Sequence, residues 1–247
     1  MIHYHGTPMT PTRDMAKAFA GKHAMVSFEH PQQIEIAAEV CHSFVLDNGA
    51  FSAWKQSKDY DFTGYIEWFA HWSRHPACDW GIIPDIIDGN ESDNDALIRD
   101  WGFAKAVSVP VWHMHESIER LERLAADFPR VALGSSAQFA VVGTERWWQR
   151  IAEAMDAVCD DEGFPLVKLH GLRMLDPGVF SKLPLASADS TNVARNVGID
   201  SNWKAAYMPK SQAMRAAILM ERIEAHASSA WWSSKTIGAY QNMELFG

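Results

Sequence analysis

The chain has 247 residues, of which 47% are hydrophobic and 21% charged, with 15 Gly and 11 Pro. Those proportions belong to a packed globular protein and exclude disordered, collagen-like and coiled-coil classes. The formal net charge of −9 argues against a surface that clamps nucleic acid everywhere, but it leaves room for a regional basic face.

Short apolar runs recur at residues 2–5, 25–28, 44–47, 80–83, 109–113, 131–134, 166–170 and 185–189, and each reads as a strand. The segments between them carry helical spacing. Tyr65, Trp68, Phe69 and Trp72 fall at i, i+3, i+4 and i+7, the spacing of one buried stripe. Residues 117–127 open on a capping Ser117 and carry Ile118, Leu121, Leu124 and Ala125 as a second stripe. Residues 144–159 and 211–227 are helical by the same test. Alternation of strand and helix without hairpin signals predicts a parallel sheet with crossover helices. Eight such strands predict a single-domain α/β chain over residues 1–247, folded as a compact (β/α)8 TIM-type barrel. A doubly wound open sheet is the alternative.

Three cysteines, Cys41, Cys78 and Cys159, are too few and too scattered for a disulfide framework or a paired-cysteine zinc site. No stretch approaches the roughly 18 apolar residues of a membrane span. The first ten residues lack the basic-then-apolar order of a signal peptide. A soluble, cytoplasmic protein is expected. Charge is uneven along the chain: residues 163–247 carry nine Lys and Arg against six Asp and Glu, a net +3, which leaves −12 for residues 1–162. The C-terminal third is therefore a candidate for facing an anion.

The C-terminal ends of the strands are all polar: His5, Glu29, Asp47-Asn48-Gly49, Asp85 with Asp88, His113 with His115, Gly134-Ser135-Ser136, His170-Gly171 and Asp189. In a parallel barrel these ends converge on the face where active sites are built, so a polar pocket and an enzyme are expected. Two ends stand out. Asp47 closes an apolar strand just before a turn-forming Asn-Gly pair. Asp189 sits among small residues, with Arg195 six positions on. Small neighbours let a substrate approach the carboxylate closely, and a nearby Arg favours its ionised form. Two acids on one face suit substitution at an anomeric carbon, one as nucleophile and the other moving a proton.

These segments resemble the tRNA-guanine transglycosylase family, which uses a (β/α)8 barrel. Asp47-Asn48-Gly49-Ala50-Phe51 is similar to that family's Asp-Ser-Gly-Gly-Phe-Gln segment. The stretch from Asp189 to Arg195-Asn196 is similar to its nucleophile segment. Asp85, His113, Gly134-Ser135 and Lys168-Leu169-His170-Gly171 follow in matching order, over roughly residues 24–200. The resemblance implies Asp189 as the nucleophile at C1′ and Asp47 as general acid/base. It also implies a guanine pocket made by Asp85, His113, Gly134, Ser135, Phe51 and His170. The partners so implied are a nucleic acid and a 7-deazaguanine base such as preQ0. No cofactor or metal is expected, because no Cys follows Cys159 to form the family's Cys-x-Cys-x-x-Cys zinc site. Ser52 and His113 stand where the family has Gln. The trimmed length resembles the compact DNA-guanine transglycosylases of phages and genomic islands, which favours DNA over tRNA.

A guanine inside a duplex must be flipped out before its C1′ can be reached. Phe51, Trp54 and Trp112 are candidates to replace its stacking, and each also reads as an ordinary packing residue. Arg173, Lys182, Arg195, Lys204 and Lys210 are candidates for phosphate contacts. The rival reading is a metal-dependent, amidohydrolase-like enzyme on the same barrel. Strand alternation puts His3 and His5 on one face, where His113, His115, His170 and Asp189 could complete a ligand set.

Overall fold

The computed structural model describes residues 1–198 and 208–233. The apolar runs become β1 (Ile2–Gly6), β2 (His23–Ser27), β3 (Ser43–Asp47), β4 (Cys78–Ile82), β5 (Ser108–Val109), β6 (Val111–His113), β7 (Arg130–Gly134), β8 (Lys168–Gly171) and β9 (Ser187–Ser190). Neighbouring strands pair in parallel in the order β5-β4-β3-β2-β1-β9-β8-β7-β6. β5 and β6 are two halves of one run parted at Pro110, which has no N–H to donate. β5 bonds to β4 and β6 bonds to β7, so both ends of the sheet meet at residues 108–113. That closure makes a (β/α)8 TIM-type barrel of eight staves, and it removes the open-sheet alternative.

The helices are α1 (Thr12–Ala18), α2 (Ile34–Val40), α3 (Ala50–Lys55), α4 (Phe62–Trp72), α5 (Glu91–Asp100), α6 (Ile118–Asp127), α7 (Glu145–Val158), α8 (Pro177–Phe180), α9 (Asn192–Asn196) and α10 (Gln212–Glu224). Five are capped by a side chain accepting a backbone N–H three residues on: Asp61 for α4, Asn90 for α5, Ser117 for α6, Thr144 for α7 and Ser211 for α10. Such caps stabilise a helix by about 1 kcal/mol each. In α4 the predicted stripe buries Tyr65 and Phe69 completely, while Trp68 and Trp72 are only partly covered.

Tyr4, Met25, Val45, Trp80, Ile82, Val109, Val111 and Ala132 fill the barrel interior. Two larger apolar clusters lie between staves and helices. Register decides which residues face inward. Tyr4 pairs with Asp189, Ser27 with Asp47, His113 with Gly134 and His170 with Ser187. Paired residues share a face, and Tyr4 is inside, so Asp189 is inside too.

Gly81 of β4 takes the opposite face, against α4. A Cβ there would stand 2.5 Å from the Phe69 ring and 2.9 Å from Leu46 Cβ, so strand and helix approach more closely than any side chain allows. Gly81→Ala is expected to destabilise the protein by ~1–3 kcal/mol through overpacking. An unchanged urea midpoint would show that the helix can retreat at no cost.

Candidate active site

A cavity of about 290 Å³ opens at the C-terminal ends of β1, β2, β3 and β9. Asp47 and Asp189 both line it, together with Thr7, Ser27, His30, Ser52, Thr191 and Arg195. The two acids that the sequence singled out are thus brought to one cavity from opposite parts of the chain. Asp47 ends β3, and the chain then turns at Gly49, whose φ of 77° lies in the left-handed region. A Cβ at Gly49 would also sit 3.0 Å from the Glu29 backbone nitrogen. Only glycine accepts both conditions without strain, and the turn leads directly into α3.

The acids differ in environment. Burial pushes the Asp47 carboxyl up to about 6, and the charges of Asp189 and Asp85 add to the rise. Hydrogen bonds from the Ser27 side chain and the Gly49 backbone oppose it. Asp47 therefore exchanges its proton close to neutral pH, as a general acid/base should. Asp189 accepts a hydrogen bond from the Arg173 backbone N–H at 3.0 Å.

Behind Asp189 a polar chain runs down the barrel axis. His170 Nε2 lies 3.3 Å from Asp189 Oδ1, and His170 Nδ1 lies 2.9 Å from Ser187 Oγ. Arg130 Nη1 donates to the same hydroxyl at 3.2 Å. An arginine only donates, so Ser187 Oγ accepts from Arg130 and keeps a second lone pair and its own proton for His170. Burial holds the His170 pKa below its ordinary value in spite of that carboxylate. The imidazole ring packs beneath the Asp189 carboxyl, at the 3.3 Å separation of Nε2 and Oδ1.

The residues expected to hold a base divide in two. Asp85 and His113 meet each other, with His113 Nε2 2.7 Å from Asp85 Oδ2, and Asn48 Nδ2 donates to Asp85 Oδ1 at 2.5 Å. Sequence reasoning read Asn48 as a turn former only. It also overlooked the buried Glu116, which accepts from the His113 backbone N–H at 2.8 Å, from Asn94 and from Arg120, and so anchors the end of β6. Gly134, Ser135, His170 and Phe51 lie on the β7, β8 and α3 side of the mouth. None of the six base-pocket candidates lines the open cavity, and the side chain of Arg173 covers two of them, Phe51 and Ser135. Arg173 Nη2 donates to the Ser135 carbonyl at 2.7 Å, and its guanidinium lies 4.0 Å from the Phe51 ring centre.

The proposed phosphate contacts scatter. Arg195 is exposed and lines the cavity. Arg173 is committed to Phe51 and Ser135 rather than held free for phosphate. Lys182 lies over the Trp148 ring at 5.1 Å, on the helix layer. Lys210 borders a separate groove with Arg13, Lys17 and Arg215. Lys204 is outside the described residues. Trp112 is also corrected: it faces outward from β6, is fully buried, and donates Nε1–H to the Ser117 carbonyl at 2.8 Å. It packs the core and cannot stack on a ligand. Trp54 is 47% exposed at the rim, 5.9 Å from Phe51.

The histidines of β1 both turn away from the barrel axis toward the end of α10. His3 Nε2 bonds the His226 carbonyl at 3.0 Å, and His5 Nε2 meets Glu224 at 2.9 Å. His115 engages Ser136 and the Gly89 carbonyl. The donors of the metal-hydrolase reading therefore point in different directions. Among the described residues no group of three or more His, Cys, Asp or Glu side chains is placed to hold a metal ion. Nor is any helix among them long and apolar enough to cross a membrane.

No family model matches the chain, and no curated protein matches it. A solved structure from Aquifex aeolicus VF5, described only as a structural study, is similar with a TM-score of 0.48 and 12% identity, covering 92% of this chain and 94% of that one.

Proposed function

We propose that the protein is a DNA-guanine transglycosylase that exchanges guanine in DNA for a 7-deazaguanine base. The observation that supports this best is the convergence of Asp47 and Asp189 on one strand-end cavity, each with different hydrogen-bond partners. Pairs of carboxyls with divergent environments take divergent roles.

Asp189, held by the Arg173 N–H and oriented by His170, attacks C1′ of a flipped deoxyguanosine. The C1′–N9 bond breaks, its electron pair leaves on guanine, and Asp47 supplies the proton that neutralises the departing base. A glycosyl ester on Asp189 remains. The incoming 7-deazaguanine surrenders its N9 proton to Asp47 and attacks C1′, which releases the Asp189 carboxylate. Asp47 is protonated again and the net change is the base alone. Two displacements at one carbon retain its configuration. The exposure of Arg195 at the cavity supports a contact with a phosphate of the strand.

The deciding experiment is incubation of the protein with DNA and a labelled 7-deazaguanine, followed by mass spectrometry of the nucleosides. The expected result is label in DNA. Label in tRNA and none in DNA would overturn the substrate class while keeping the chemistry. Label in neither would overturn the reading.

A further inference from the structure

The cavity stops short of the surfaces that a base needs. It is lined from β1, β2, β3 and β9, and the aromatic face of Phe51 and the carbonyl of Ser135 are not among its walls. Arg173 covers both, and its guanidinium is flat and rich in N–H groups. The guanidinium stacks on Phe51 at 4.0 Å and donates to the Ser135 carbonyl at 2.7 Å. A planar heterocycle carrying an N–H edge would use the same two contacts, one from its face and one from its rim. The backbone at Arg173 has a φ of 59°, in the left-handed region that non-glycine residues rarely adopt. That conformation points the Arg173 N–H at Asp189 while the side chain crosses the mouth.

We propose that Arg173 is a specificity-determining gate: its guanidinium holds the base slot between Phe51 and Ser135, and only a flat ligand with an N–H donor displaces it. This inference rests on the base-exchange reading and adds to it a competition that the reading does not require. A ligand without a flat face gives up the stacking, and one without a donor leaves the Ser135 carbonyl unpaired. Either deficit lets the arginine stay. Displacement lowers the apparent affinity of every ligand by the fraction of time the slot is free. The exposed side of the Arg173 side chain gives it a route outward, toward the same solvent face as Arg195. Once displaced there, it adds a second cation beside the strand.

Binding of 7-deazaguanine, followed by calorimetry and by the fluorescence of Trp54 beside Phe51, tests the gate. Arg173→Ala is expected to bind the base about threefold to tenfold more tightly than the unaltered protein, given the modest strength of one cation–π contact and one hydrogen bond. It should also discriminate less against 9-methyl-7-deazapurine, which is flat but carries no N–H donor. Arg173→Lys keeps a cation and an N–H donor but loses the planar guanidinium, so its binding should fall between the unaltered protein and Arg173→Ala. Weaker or unchanged binding in Arg173→Ala, with the unaltered protein binding normally, overturns the gate alone. Weaker binding in Arg173→Lys than in the unaltered protein shows that the flat guanidinium is not what holds the slot and also overturns it. Absence of binding in all three proteins, each folded by circular dichroism, overturns the base-exchange reading and the gate together.

Discussion

Asp189→Asn is expected to lower base exchange by at least about 10³-fold, because an amide cannot form the glycosyl ester on which both displacements depend. The substitution is close to isosteric, and the Arg173 N–H can still donate to the amide oxygen. The folded state should therefore survive, and the loss is chemical. Incubation of the unaltered protein with DNA in the absence of a second base should leave an adduct that resists denaturation. The same incubation with Asp189→Asn should leave none. An adduct of undiminished yield in the variant would move the nucleophile to another residue.

Asp47→Asn should separate activity from stability in opposite directions. Activity falls by about 10²–10⁴-fold, the usual contribution of a positioned proton donor and acceptor. In the unaltered protein the rate should fall on both sides of about pH 6, where Asp47 exchanges its proton, and the variant should lose that dependence. Stability moves the other way. The Asp47 pKa is raised by folding from its ordinary 3.8 to about 6, so the folded state binds the proton more tightly than the unfolded chain. The stability from that proton is complete below pH 3.8 and is lost as pH rises through about 6. At pH 7.5 the half-buried carboxylate is a burden. Replacing it with a neutral amide should raise stability by an amount on the order of 1–3 kcal/mol. At pH 4 the two proteins should unfold at nearly the same urea concentration. A variant less stable than the unaltered protein at pH 7.5 would show that the Ser27 and Gly49 hydrogen bonds outweigh the burial.

The acid of this pair is thus held in place against its own cost. Gly49 provides the turn, Ser27 and the Gly49 N–H partly satisfy the carboxyl, and the β2–β3 register brings Ser27 beside it. Cost of this kind is expected where a side chain is kept for chemistry rather than for packing.

Much of this was legible before any coordinates. Strands buried on both faces are runs of apolar residues, and crossover helices bury one stripe, so eight runs and their intervening stripes determine a parallel α/β sheet from local pattern, while the pairing of β5 with β4 and β6 with β7 decides that it closes into a barrel. Convergence of the strand ends follows from that topology, and with it the pairing of Asp47 and Asp189, which are far apart in sequence. What local pattern leaves open is the choice of face. His3 and His5 share a side of β1, but an alternating strand does not say which side meets the barrel axis. The pairing of Tyr4 with Asp189 settles it, sending both histidines to α10 and Asp189 to the cavity. The same choice of face turns Trp112 into core and His113 into the site. Arg173 shows the limit most clearly. Its charge suggests a phosphate contact, whereas its place over Phe51 and against Ser135 depends on α3 and the segments after β7 and β8 meeting at the mouth. Periodicity records how each segment buries itself, and only tertiary packing decides which side chains from distant segments come to share a space.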